Sequence, residues 1–207
     1  MPGVRPYSAG VIFFVRHGQS TTNAQGLLVG RSNPELTDHG RAQARALRPW
    51  LGGVVEVWTS PLRRAVETAT LAVPTIEPVV VDDVIEVDYG VLDGTPLRDV
   101  SEAQWRAFEA DHLLAMGGGE SLHDVDQRVH GLLERVASDA ASLLHDPERH
   151  LVIVSHVSPI KSAATWAMGV PGSTAWRMRI DNGSLTALSS RRGTPTLIHA
   201  NLVPALT

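Results

Sequence analysis

Short apolar runs that end in polar, chemistry-bearing residues constrain this chain more than any other feature. Residues 11–15 read Val-Ile-Phe-Phe-Val and lead into Arg16-His17-Gly18. Residues 54–58 lead into Ser60-Pro61, and residues 150–154 into Ser155-His156. β-Branched and aromatic runs of this length, bounded by polar or turn-forming residues, are the signature of buried strands. Helix signals separate them, and parallel strands need such crossovers. The alternation therefore predicts an α/β fold: a three-layer sandwich with a mostly parallel central sheet and helices on both faces.

The other elements fit that plan. Thr37 is placed to cap a helix running to about residue 51, where Gly52-Gly53 stops it. Ser60 followed by Pro61 reads as an N-cap and a first-turn proline, opening a helix to about residue 72. A third strand is expected over 77–81, and one helix around 100–110 within an irregular stretch from 82 to 119. Ser121 with Asp124 forms a capping box. The helix it opens carries Val125, Val129, Leu132, Leu133, Val136 and Leu143-Leu144 near helical spacing. Ser158-Pro159 starts a further helix, which Gly169 and Pro171 end. Strand-like runs at 177–180, 184–190 and 194–200, with Arg192-Gly193 as a tight turn, predict an antiparallel edge. No repeat or linker divides residues 1–207, so one domain is expected.

Composition excludes several classes. The chain has no cysteine, which removes thiol nucleophiles, disulfides and Cys-ligated metals. Its 18 basic against 22 acidic residues give a net charge of −4, the wrong balance for a general nucleic-acid binder. Lys161 is the only lysine. The longest apolar run near the start, 11–15, is too short for a signal-peptide core or a membrane span. A cytoplasmic protein with no membrane partner is the expectation.

The strand ends carry the chemistry. In open α/β sheets ligands bind outside the carboxyl ends of the strands. There the sequence places Arg16, His17 and, after the last parallel strand, His156. Gly18 lets the backbone approach a ligand closely. Arg63 falls in the first turn of a helix, where the dipole disfavours a cation unless an anion sits with it. The bland alternative pairs it with Glu67 at i,i+4, and Arg64 is read as the ordinary surface residue of the two. Glu86 lies in an apolar stretch suited to a general acid, against the plain reading of an exposed strand residue. Arg16, His17, Arg63 and His156 together make a cationic pocket that suits phosphate and repels a divalent metal. One neutral histidine serves as nucleophile there, and a second, protonated one stabilises developing charge.

These motifs resemble the histidine phosphatase superfamily, in its phosphoglycerate-mutase-like branch. The family pattern is Arg-His-Gly with a downstream Asn, then Ser-Pro-x-x-Arg-Ala-x-x-Thr-Ala, a Glu with spaced glycines, and Ser-His. The chain shows all four in order from Arg16 to His156, with Leu36-Thr37-Asp38-His39-Gly40 and Gly118-Gly119-Glu120-Ser121 between them. The resemblance implies that His17 becomes phosphohistidine, and that Arg16, Arg63 and His156 hold the phosphoryl oxygens. It places Asn23 at the rim and makes Glu86 the acid and then the base; no metal or other cofactor is needed. Val157 stands where the family commonly has Gly, whose N–H meets the phosphate; a branched side chain there narrows the pocket. Asp93 stands where many relatives carry Glu.

The expected activity is metal-independent hydrolysis of a small phosphomonoester, with a phosphorylated metabolite as partner; a homodimer is compatible with the sequence. The alternatives are a phosphoglycerate-type phosphomutase and a phospho-ligand-binding protein with little turnover, the latter suggested by Val157. The short 86–119 segment favours the phosphatase over the mutase. That segment is expected to cover the substrate with Trp105, Phe108 and Met116, against the plain reading that these are core of a small helix. A serine hydrolase is a poor fit because no Gly-x-Ser-x-Gly elbow is present.

Overall fold

The computed structural model describes residues 10–138, 146–191 and 193–206. Among these residues six strands form one sheet: β1 (Val11–Arg16), β2 (Val54–Thr59), β3 (Val79–Val80), β4 (His150–Ser155), β5 (Leu185–Arg191) and β6 (Thr194–Leu202). Their order is β3-β2-β4-β1-β5-β6. β1, β2, β3 and β4 are parallel, and β5 and β6 add the antiparallel edge. The expected fold class is the observed one.

Alternation along β1 builds the two cores, because successive side chains point to opposite faces. Ile12 and Phe14 pack with Val125, Val129 and Leu133 of α5 (Leu122–Ser138) and Ile160 and Ala163 of α6 (Val157–Met168). Val11, Phe13 and Val15 pack on the other face with Ala65, Ala69 and Ala72 of α3 (Arg63–Ala72) and with Leu47. Leu47 directly follows α2 (Asp38–Ala46). A short α1 (Thr21–Ala24) follows β1, and α4 (Glu102–Ala110) lies in the segment between β3 and α5. Among the described residues no helix is long and apolar enough to cross a membrane.

Local signals hold where a side chain meets the backbone. Thr37 Oγ1 accepts the Gly40 N–H at 3.0 Å, and Ser121 and Asp124 close their box reciprocally. Gly169 ends α6 in the left-handed conformation, φ 62°. Other expectations change. α3 begins at Arg63 with Leu62 in the cap position, so Ser60 is not its N-cap. Residues 172–177 form 3-10 turns, and no strand forms at 177–180. The third strand shrinks to Val79–Val80, both exposed at the sheet edge. Leu143-Leu144 and Arg192 lie outside the described residues.

Candidate active site

β1, β2 and β4 run parallel, so their carboxyl ends meet at one edge of the sheet. Arg16 pairs in register with Ser155, which sets His17 beside His156 with ring centroids 5.0 Å apart. Both histidines are buried. His17 Nδ1 lies 2.7 Å from the Gly18 carbonyl, which only accepts, so Nδ1 carries the proton. The neutral ring then has its lone pair on Nε2, and Arg64 Nε donates to that atom at 3.1 Å. Burial, then Arg64 and Arg16, push His17 well below the usual histidine value. Burial, then Arg64 and His17, do the same to His156. The second histidine is therefore neutral at pH 7 in this structure, where a protonated one was expected.

The arginine that α3 brings to His17 is Arg64, not Arg63. Arg64 is fully buried and anchored by Nη1 to the Ser32 carbonyl (2.7 Å) and Nη2 to the Gly30 carbonyl (2.8 Å). Burial lowers it to about 10, still protonated at neutral pH. Arg63 points outward, with 60% of its side chain exposed, and reaches Glu35 at 3.4 Å. Glu67, its expected partner, instead pairs with Arg41 at 2.6 Å. The physical reason is helix phase: neighbours on a helix diverge by about 100°, and with α3 starting at Arg63 only Arg64 faces inward. The Ser-Pro-x-x-Arg-Ala spacing counted from Ser60 falls on Arg64 and was the signal for it.

Other residues sit where expected but make different contacts. Arg16 donates from Nη1 to the Ile180 carbonyl at 2.7 Å, and its buried Nε has no partner among the described residues. His156 Nδ1 is likewise buried without a partner. Buried donors and acceptors in native structures are normally paired; Arg16, which lines the cavity, and His156 beside His17 each keep one such atom unpaired among the described residues. His156 Nε2 lies 2.7 Å from Ser60 Oγ, and that oxygen accepts the Leu62 N–H. Ser60, expected as a cap, thus orients the second histidine.

Glu86 is buried and accepts three backbone N–H groups: Val87 (2.9 Å), Val157 (3.1 Å) and Ser158 (3.2 Å). Its carboxylate caps α6 from outside the helix. The Val157 N–H, expected to face phosphate, is engaged by Glu86 instead. Pro159 removes no helix hydrogen bond, because it lies in the first turn, where the N–H has no intrahelical partner. Gly18 also differs from expectation. A Cβ there would lie 2.2 Å from the Gly40 carbonyl oxygen, and its N–H goes to Thr68 Oγ1 at 3.1 Å. Its missing side chain admits the backbone of α2 rather than a ligand. Asn23 lines the cavity, with Oδ1 accepting from Ser20 and from Asn182 Nδ2.

In the sequence Asp93 marks only a departure from the family pattern, and no local signal gives its place in the scaffold. It accepts from Gly30 N–H (3.0 Å) and Ser32 N–H (2.7 Å), fixing the loop whose carbonyls hold Arg64. The cavity at this edge has a volume of about 260 Å³. Glu86, Tyr89, Leu97, Trp105 and Phe108 of the 86–119 segment line it. Met116 does not; it is buried with Leu28, Val100 and Phe108 in a small core of its own. Among the described residues no three His, Asp or Glu side chains converge as a metal site.

Comparison with known proteins agrees with this geometry. The chain is 32% identical over 185 residues to a bifunctional protein of Mycobacterium tuberculosis, covering 84% of this chain and 49% of that one. It thus spans about half the length of that relative. It is 29% identical over 203 residues to phosphoserine phosphatase 1 of Hydrogenobacter thermophilus, with 92% of each covered. The solved mycobacterial glucosyl-3-phosphoglycerate phosphatase with VO3 superimposes at TM-score 0.84 and 26% identity, covering 93% of this chain and 99% of that one. The family model described as histidine phosphatase superfamily (branch 1) matches residues 12–203, and the chain belongs to that family.

Proposed function

We propose that this protein hydrolyses a small phosphomonoester without a metal ion, through a phosphohistidine on His17. One observation carries the reading: the Gly18 carbonyl holds the His17 proton on Nδ1, leaving the Nε2 lone pair amid Arg16, Arg64 and His156. An imidazole kept neutral by burial and two guanidinium groups is a nucleophile at pH 7.

The incoming phosphoryl group takes the Arg64 Nε–H from His17 and gives Arg16 Nε and His156 Nδ1 the acceptors they lack. Ser60 receives the Leu62 N–H and donates its hydroxyl proton to His156 Nε2, which keeps the ring proton on Nδ1 for a phosphoryl oxygen. His17 Nε2 forms the N–P bond as the P–O bond to the leaving group breaks, and Glu86, in its acid form, gives that oxygen a proton. Glu86 then takes a proton from water, whose oxygen attacks phosphorus and breaks the N–P bond, releasing phosphate. The cations offset charge on the phosphoryl oxygens throughout. The phosphatase names of the relatives and the short 86–119 segment support water as final acceptor.

Rapid quenching after mixing with 32P-labelled substrate tests this. Label should appear on His17, resist base and be lost in acid. His17→Ala should abolish label and turnover, and full turnover in that variant overturns the mechanism. Label passed back to an organic product would mark a mutase instead.

A further inference from the structure

Beyond the phosphate end, the cavity continues between α5, α6 and the 3-10 turns over Gly172–Arg177. Its walls there are mainly apolar and aromatic: Trp105, Phe108, Leu122, Val125 and Trp176. One cation breaks that surface. Lys161 follows Val157 by four residues, one turn along the same face of α6, and lines the cavity shared with Arg16, His17 and Glu86.

The Lys161 ammonium stands 5.5 Å over the centre of the Trp176 ring, a contact that positions it without neutralising it. It makes no ion pair with a carboxylate among the described residues. The two acids of the cavity wall are already engaged. Glu86 accepts three backbone N–H groups, and Asp126 is held by Ser162 Oγ (2.5 Å) and His112 Nε2 (2.7 Å). Burial lowers the proton affinity of Lys161, and the charges of Glu86 and Glu109 offset that desolvation cost only in part.

We propose that Lys161 selects the substrate: it takes a second anionic group, a carboxylate or a second phosphate, on the leaving group of the phosphomonoester. The proposal rests on the reading of Arg16, His17 and Arg64 as the phosphate end. The cavity of about 260 Å³ lies just below the usual range of ligand sites, which suits a leaving group of a few carbons. An ester with a neutral leaving group would leave the ammonium unmatched.

Three probes on one three-carbon frame test it: 3-phosphoglycerate, glycerol 1,3-bisphosphate and glycerol 3-phosphate, the last with no second anion. Binding is measured by calorimetry in a His17→Ala background, where no turnover intervenes. At least one dianchored probe should bind roughly tenfold or more tightly than glycerol 3-phosphate, the range of a charge-assisted hydrogen bond. Whichever probe shows the preference identifies its source as carboxylate or second phosphate. Adding Lys161→Met should collapse the preference and Lys161→Arg should retain it. No preference with Lys161 present, or one that survives Lys161→Met, overturns the proposal. If His17→Ala folds poorly, competition against p-nitrophenyl phosphate turnover by the otherwise unaltered enzyme gives the same ratio. Turnover of p-nitrophenyl phosphate itself, which has no second anion, reports separately on the hydrolytic reading.

Discussion

Arg64 Nε donates to His17 Nε2 across 3.1 Å, while Arg63, one residue earlier, reaches outward to Glu35. Two chemically identical neighbours are thus divided between His17 and the surface.

The first prediction follows from that division. Arg64→Lys keeps a charge but loses the fork that spans Gly30, Ser32 and His17, so kcat/KM should fall by about 10²–10³-fold. Arg63→Ala should stay within about fivefold of the parent, since exposed pairs contribute little. Steady-state kinetics on both variants decide it, and the reverse ranking would return the site to Arg63.

A second prediction concerns Glu86. Glu86→Gln should slow esters with poor leaving groups far more than p-nitrophenyl phosphate, whose leaving oxygen needs little protonation. The amide also brings an N–H toward the Val157 and Ser158 N–H groups that the carboxylate accepts. A lower melting temperature should accompany the kinetic loss. Equal slowing of both esters removes Glu86 from the role of acid.

Stability should depend on pH through the two histidines. Both are held well below the ordinary value of 6.5 in the folded protein. Below pH 6.5 the unfolded chain therefore binds protons that the folded one refuses, and stability falls as pH drops. Each imidazole that stays neutral contributes a slope that grows to about 1.4 kcal/mol per pH unit well below pH 6.5. Denaturant titrations between pH 7.5 and 5 measure it. A stability that rises on acidification contradicts the buried, neutral pair.

Asp93 tests how far the scaffold extends. Asp93→Ala releases the N–H groups of Gly30 and Ser32 and the Ser32 hydroxyl, costing about 1–2 kcal/mol of stability. Because those residues hold Arg64, kcat should drop about tenfold or more, with restoration by Asp93→Glu. Normal kcat in the alanine variant would show that Arg64 is held without the loop.

Much of the site is legible along the chain. An apolar, β-branched run must be buried, and the residue that ends it must emerge at the sheet edge, so Arg16, His17 and His156 are placed by pattern alone. The order of strands and helices follows from the same runs, as does the antiparallel edge. Ser60 shows where such reading stops. A serine before proline has the chemistry of a cap, but α3 starts three residues later and its hydroxyl turns to His156, 96 positions away in the chain.

The sequence by itself determined which chemical groups arrive at the edge: two histidines, arginines and one carboxylate. Tertiary structure decided which of them meet. It set the phase of α3, so Arg64 rather than Arg63 faces His17. It brought Glu86 onto the N-terminus of α6, where it engages the Val157 N–H that the pattern assigned to phosphate. It gave Gly18 to the backbone of Gly40, and it set Lys161 over Trp176 in the cavity wall. The physical reason is common to all four. Residue type and local period fix an element and its buried face, whereas helix phase, hydrogen-bond partners and charge partners depend on atoms brought close only when the layers pack.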